Sequence, residues 1–152
     1  MQFTATDNPL VTLVGTQSSD FETLLTIRID AMRESLERIG RFDPLRTRAR
    51  FRDGFSPELT RYIEVSGERV GFVAVKPLID GLLLDHLYIK PGAQGLGTGS
   101  VVLRHIFREA QAAAPILWVG ALRDSASNRF YTRHGFQFVE SSEFDNYYIR
   151  HL

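Results

Sequence analysis

The chain has 152 residues, enough for one ordinary domain that buries more than half of its unfolded surface without staples. Acidic and basic side chains number 18 each, so no net field draws the molecule toward nucleic acid or an anionic membrane. The apolar (43%) and charged (24%) fractions are those of a globular protein, and the lack of cysteine excludes disulfides, thiolate metal sites and a cysteine acyl-enzyme.

The first 15 residues lack the basic segment and long apolar run of a secretion signal. No stretch approaches the ~20 apolar residues of a membrane span. A cytoplasmic protein is expected.

Taken in chain order, Val11–Gly15 reads as a short strand. Ser18 or Ser19 can cap a helix whose apolar positions include Phe21, Leu24, Leu25, Met32 and Leu36, and Gly40 stops it. Pro44 opens a second helix through the arginine-rich stretch Arg46–Arg52, up to a turn at Asp53-Gly54. Thr60–Val65 and Val70–Lys76 form a hairpin about Ser66-Gly67. A turn from Pro77 to Gly81 follows, then a nearly continuous apolar strand, Leu82–Ile89, suited to a sheet interior.

The next helix starts in a glycine-rich segment and runs to about Ala113, with Val102, Leu103, Ile106, Phe107 and Ala110 as its buried stripe. Ile116–Leu122 is a strand. Asp124 or Ser125 caps a helix that runs through Arg133 and ends at Gly135. Phe136–Val139 and Phe144–Arg150 complete the chain as strands. This order predicts an α+β domain with one central sheet.

The segment from Leu87 to Ser100 carries the chemistry. Gly95, Gly97 and Gly99 permit tight turning and close approach by a ligand, and they open a helix whose free N–H groups and dipole favour an anion. The bland alternative is a simple connector, in which three glycines would cost about 1 kcal/mol each where helical. A P-loop needs Lys-Ser or Lys-Thr after its last glycine, whereas Ser100-Val101 follow Gly99. A dinucleotide fingerprint needs a third glycine at Ser100 or Val102, and a preceding βαβ crossover. Both patterns fail.

What the segment resembles is the acyl-CoA motif of the GNAT superfamily of N-acetyltransferases, Gln/Arg-x-x-Gly-x-Gly/Ala after a strand ending Leu-x-Val/Ile-x-Pro. The chain supplies Gln94-x-x-Gly97-x-Gly99 and Leu87-x-Ile89-x-Pro91. A second stretch, Phe130-Tyr131-x-x-x-Gly135-Phe136, is similar to the family's Phe-Tyr-x-x-x-Gly-Phe pattern. The resemblance covers most of the chain from Thr60 onward. It implies one GNAT-like domain over residues 1–152, with a mixed, mostly antiparallel sheet flanked by helices. It also implies acetyl-CoA as co-substrate. Leu87, Tyr88 and Ile89 would hold the pantetheine arm by backbone pairing, and Gln94, Gly95, Leu96, Gly97, Thr98, Gly99 and Ser100 would hold the pyrophosphate.

By the same resemblance Tyr131 faces the CoA sulfur and protonates the leaving thiolate. The unperturbed values, ~8.5 for a thiol and ~10 for tyrosine, make that transfer a matter of modest tuning. The family often has Asn-x-x-Ala ahead of Phe-Tyr. This chain has Asp124 and Ser127 there, and Asn128 either binds the pantetheine arm instead or lies on a solvated face.

Asp85, a carboxylate inside LLLDHLYI, is either the base that deprotonates the amine or the structural partner of an arginine. Strand alternation places it with Leu83 and Leu87, and puts His86 on the opposite face as a core histidine, although the ordinary range of an imidazole also suits a base. His134 sits near a helix C-terminus. No histidine pair has metal-ligand spacing, so no metal is expected. Without cysteine the acyl group must pass directly to the acceptor.

The acceptor is expected to be a small-molecule or peptide amine, bound by Arg28–Arg61 and Phe144–Arg150. The arginines there suit a carboxylate or phosphate, but most of them are expected to be solvated helix-face charges. They form no nucleic-acid code. Apolar strand edges offer a route to a homodimer. The competing functions are a catalytically inactive acyl-CoA sensor and a nucleotide-phosphate binder.

Overall fold

The computed structural model describes residues 10–152; residues 1–9, part of the stretch read as free of a secretion signal, lie outside the described residues. The order is β1 (Val11–Gly15), α1 (Phe21–Arg38), α2 (Pro44–Gly54), β2 (Thr60–Val65), β3 (Glu68–Leu78), β4 (Gly81–Ile89), α3 (Thr98–Gln111), β5 (Ile116–Leu122), α4 (Ser127–Arg133), β6 (Gln137–Ser141) and β7 (Asp145–His151). The strands form a seven-stranded sheet in the order β1-β2-β3-β4-β5-β7-β6, in which β4–β5 is the parallel pair and the other neighbours run antiparallel. Among the described residues no helix is long and apolar enough to cross a membrane.

Each face of the sheet has its own core. On one face Val102, Leu103 and Ile106 of α3 are at most 1% exposed and pack on Ile63, Val73, Leu84 and Leu117. Burying side chains of this size contributes roughly 1.5–3 kcal/mol each, which holds α3 in place. Phe107 is only half-buried and meets the Phe136 ring. On the other face Leu24, Leu25 and Ile27 of α1 pack with Phe51 of α2 on Tyr62 and Phe72.

Three of the differences from the sequence reading have a local cause. β3 continues through Pro77 to Leu78. Its pairing with β2 stops at Ala74, so beyond that point one side of β3 is an edge where a missing N–H costs nothing. The α4 helix begins at Ser127 rather than after Asp124 or Ser125, because Asp124 adopts φ 69 and Ser125 bonds back to the Leu122 carbonyl. Neither serine caps α1: both lie in a short 3-10 turn at Ser18–Asp20, and the Asp20 carboxylate accepts the Gln17 N–H at 2.8 Å, capping that turn rather than the helix that follows.

Gly71 sets the spacing of the two central strands: a Cβ there would collide with the Tyr88 carbonyl. Gly71→Ala is therefore expected to lose about 1–3 kcal/mol of stability through overpacking, read as a lower urea midpoint at unchanged m-value.

Candidate active site

The site is built where β4 leaves its parallel neighbour. β4 and β5 pair only through Leu82–Leu117, Leu83–Trp118 and Leu84–Val119. Beyond Leu84 the two strands part and leave a gap. In the ladder with β3, the Lys90 N–H donates to the Val70 carbonyl at 2.7 Å. Antiparallel pairs alternate, so Tyr88–Phe72 is a bonded pair while Leu87 and Ile89 turn their N–H and C=O groups toward the gap.

The ladder is also interrupted. Ala74 pairs with His86 and Val75 with Leu84, which leaves Asp85 as an unpaired β-bulge. The bulge breaks strict alternation and corrects the expected placement of His86. Instead of facing away, His86 lies beside Asp85, with its Nε2 3.5 Å from the Asp85 Oδ2. Leu87 points to the α3 core, while Asp85 lines the cavity on the α1–α2 side.

Asp85 is not bound by an arginine: the Lys76 Nζ, on the adjacent strand, lies 3.2 Å from it. His86 packs among Phe51, Phe72 and Tyr88, and its Nδ1 is 3.3 Å from the Tyr88 hydroxyl. Burial pushes the imidazole down to about 4, against the opposing pull of Asp85, so the ring is neutral at pH 7. The sign is that of a depressed base. The unfolded ring, near 6.5, takes up a proton that the folded ring refuses, so stability should fall as pH drops from about 6.5 toward 4. Denaturation midpoints over that range should decline by ~1–3 kcal/mol in all, and decline less in His86→Gln.

Three cavities follow one another along this gap. The first, about 490 Å³, runs along the glycine-rich turn and is lined by Gln94, Gly97, Thr98, Ser100, Phe130 and Tyr131. The second, about 160 Å³, lies between β4 and β5 and shares Leu87, Ile89, Gln94, Ser127 and Tyr131 with the first. The third, about 340 Å³, opens under α1 and α2 and shares Met32, Asp85, Tyr88 and Gly120 with the second. Tyr131 thus lies where the first two meet, and Asp85 where the second and third meet.

At the turn, Gly95 and Gly97 have φ of 80 and 81, the left-handed region that side chains disfavour. A Cβ on Gly99 would instead press on the Phe130 ring at 3.1 Å, so this glycine makes room for α4. The first backbone bond of α3 runs from the Val101 N–H to the Gly97 carbonyl at 3.2 Å. The N–H groups ahead of it stay free to meet an anion beside the first cavity.

Tyr131 is buried, with its ring held edge-on to Phe130 and Phe136 at 5.4 Å each. Burial, aided by Tyr88, pushes its phenol well above the ordinary tyrosine value. This is a larger shift than the modest tuning expected.

Three assigned residues fall differently. The Asn128 amide Nδ2 donates to the Leu122 and Ser125 carbonyls at 2.8 and 2.9 Å, and its Oδ1 accepts from Asn146 at 2.9 Å and Tyr148 at 2.7 Å. Its side chain ties α4 to β7, so it neither reaches for a pantetheine arm nor lies on a solvated face. Leu96 is 72% exposed and lines none of the three cavities. Tyr88 turns its side chain to the α1–α2 face, where the Arg28 Nε approaches its hydroxyl at 3.5 Å. Gln94 does line the cleft, but its Nε2 also donates to the Ile89 carbonyl at 2.8 Å.

Sequence reasoning missed Lys76, which contacts Asp85 only through sheet register. It also missed Gly120, which lines the two inner cavities and where a Cβ would meet the Tyr147 ring at 3.3 Å. A glycine amid the strand Ile116–Leu122 was the available signal for the latter. Among the described residues no three His, Asp or Glu side chains converge as metal ligands.

A search of curated protein sequences finds no match. The fold is that of several solved structures. The PaiA N-acetyltransferase of Thermoplasma acidophilum, in complex with coenzyme A, superimposes with a TM-score of 0.76 at 16% identity, over 94% of this chain and 99% of that one. An acetyltransferase of Thermus thermophilus gives 0.72 at 18% identity, over 93% and 97% of the two chains. N-acetylglutamate synthase of Neisseria gonorrhoeae, complexed with coenzyme A and N-acetyl-glutamate, gives 0.69 at 18% identity, over 95% of this chain but only 36% of that one. The family model for the acetyltransferase (GNAT) domain matches residues 58–138, from the end of the α2–β2 connection to β6 and more than half of the chain. The chain therefore belongs to the GNAT acetyltransferase family.

Proposed function

We propose that this protein transfers an acetyl group from acetyl-CoA directly to a primary amine. The carrying observation is the continuous cleft, with an anion-binding turn at one end, Tyr131 midway and Asp85 opening onto a separate cavity at the other end. Neighbours of the same fold bind coenzyme A, and one of them was captured with an N-acetylated amino acid.

The pyrophosphate sits on the free N–H groups at the start of α3, beside Gly95, Gly97 and Ser100. The pantetheine arm pairs with the exposed backbone of Leu87 and Ile89, which extends β4 into the gap. The amine enters through the α1–α2 cavity. Asp85 accepts a proton from its ammonium, and the neutral nitrogen attacks the thioester carbonyl carbon. A backbone N–H in the gap meets the oxyanion of the tetrahedral intermediate. As that intermediate collapses, the C–S bond breaks with its electron pair on sulfur, and the Tyr131 hydroxyl donates a proton to the thiolate. The phenolate regains one from the proton released by the amine, so the sum is amide, free thiol and one proton.

The raised pKa of Tyr131 does not oppose this step. A thiolate forming in the same dry pocket loses its hydration too, so its own value rises with that of its donor. The test is thiol release from acetyl-CoA across a broad set of amines. Turnover with any amine supports transfer. Tight CoA binding without turnover would leave an inactive sensor, and displacement of CoA by ATP or NAD would point to a nucleotide binder.

A further inference from the structure

The cavity under α1 and α2 has an uneven charge that the transfer chemistry alone does not need. Four arginines line it: Arg28 of α1, Arg41 of the α1–α2 connection, and Arg46 and Arg50 of α2. Arg46 and Arg50 are one helical step of four apart, beside the buried pair Thr47 and Phe51, so the packing of α2 aims them at the cavity. Arg41 lies flat on the Phe144 ring at 3.6 Å, which fixes its guanidinium.

Four arginines elsewhere pair with glutamates, Arg38 with Glu34, Arg48 with Glu22, Arg61 with Glu109 and Arg69 with Glu64, and others such as Arg33 and Arg52 make no ion pair among the described residues but do not line this cavity. Among the described residues, none of the four cavity arginines has such a partner within ion-pair distance. They share the cavity with two carboxylates, Asp85 and Asp145, and Asp85 is already engaged by Lys76. This cavity has no lining residue in common with the one along the glycine-rich turn, so these charges do not serve the CoA pyrophosphate.

We infer that the acceptor amine carries an anionic group, a carboxylate or a phosphate, held by Arg46 and Arg50 with Arg28 and Arg41 beside them. This rests on the transfer reading above, since it gives the substrate class for that site. Guanidinium forks bind both anions in paired hydrogen bonds. A volume of about 340 Å³ accommodates a small molecule with the amine toward Asp85 and the anion under α2.

The experiment is calorimetry on the full chain saturated with CoA, using matched probes: L-leucine against L-leucinamide, 5-aminopentanoate against pentylamine, and 2-aminoethyl phosphate against ethanolamine. At least one anionic member should bind about 10- to 100-fold more tightly than its neutral partner. Which pair separates most distinguishes carboxylate from phosphate. In Arg46→Gln/Arg50→Gln, which alters two exposed side chains, that preference should collapse while CoA affinity is unchanged. Equal affinity within every pair, no binding by any anionic probe, or a preference that survives the double substitution would overturn the inference. Binding needs no turnover. An anion preference without acetyl transfer removes the transfer reading alone, and transfer to neutral and anionic amines alike removes this one alone.

Discussion

Asp85→Asn is expected to lower kcat by about 100- to 1000-fold, roughly 3–4 kcal/mol in the barrier, with CoA affinity unchanged. The amide keeps the shape of the carboxylate but cannot take a proton. The bulge makes the effect specific, because it turns Asp85 out of the ladder and toward the cavity under α1 and α2. Lys76 at 3.2 Å and His86 at 3.5 Å fix the direction of the carboxylate. A merely structural role would appear as lost stability with kcat within about threefold of the parent, and that result would defeat the assignment. His86→Gln separates the neighbours: its kcat should fall less than that of Asp85→Asn. The reverse order would make the neutral imidazole the base and Asp85 its positioning partner.

The second large effect is at Tyr131. Tyr131→Phe should cost about 10- to 100-fold in kcat and little in KM for acetyl-CoA, because the ring contacts with Phe130 and Phe136 survive and only the proton is lost. The pH profile gives an independent reading. An acid must be protonated to act, and burial raises the Tyr131 phenol. The alkaline loss of activity due to this group should therefore begin above the ordinary tyrosine value of ~10. A limb near pH 8 that persists in Tyr131→Phe would belong to another group. Unchanged kcat in the variant would remove the tyrosine from the proton path.

The same physics explains which parts of the site were legible in advance. The turn at Gly95 and Gly97 was legible because positive φ selects glycine locally, and the conformation is written into the residue itself. The buried stripe of α3 was legible because Val102, Leu103, Ile106 and Ala110 recur with helical period. Asn128 was not legible, since one residue of shift along α4 turns its amide from the cleft to Asn146 and Tyr148 on β7. The end of β3 was misjudged because Pro77 looks like a breaker until one knows that its outer neighbour has already ended.

Residues 87–100 and 130–136 alone carry the resemblance to GNAT enzymes and the glycine-rich turn at the start of a helix, because those features depend on neighbours a few positions apart. The pairing of Asp85 with His86 and Lys76, and the gathering of Arg28, Arg41, Arg46 and Arg50 around one cavity, are of another kind. They arise from a bulge in the ladder and from how α1 and α2 pack on the sheet. Contacts between residues far apart in the chain depend on register and packing, which local periodicity does not encode, and so the cavity these residues share, and the place of Asp85 in it, emerged only from the folded molecule.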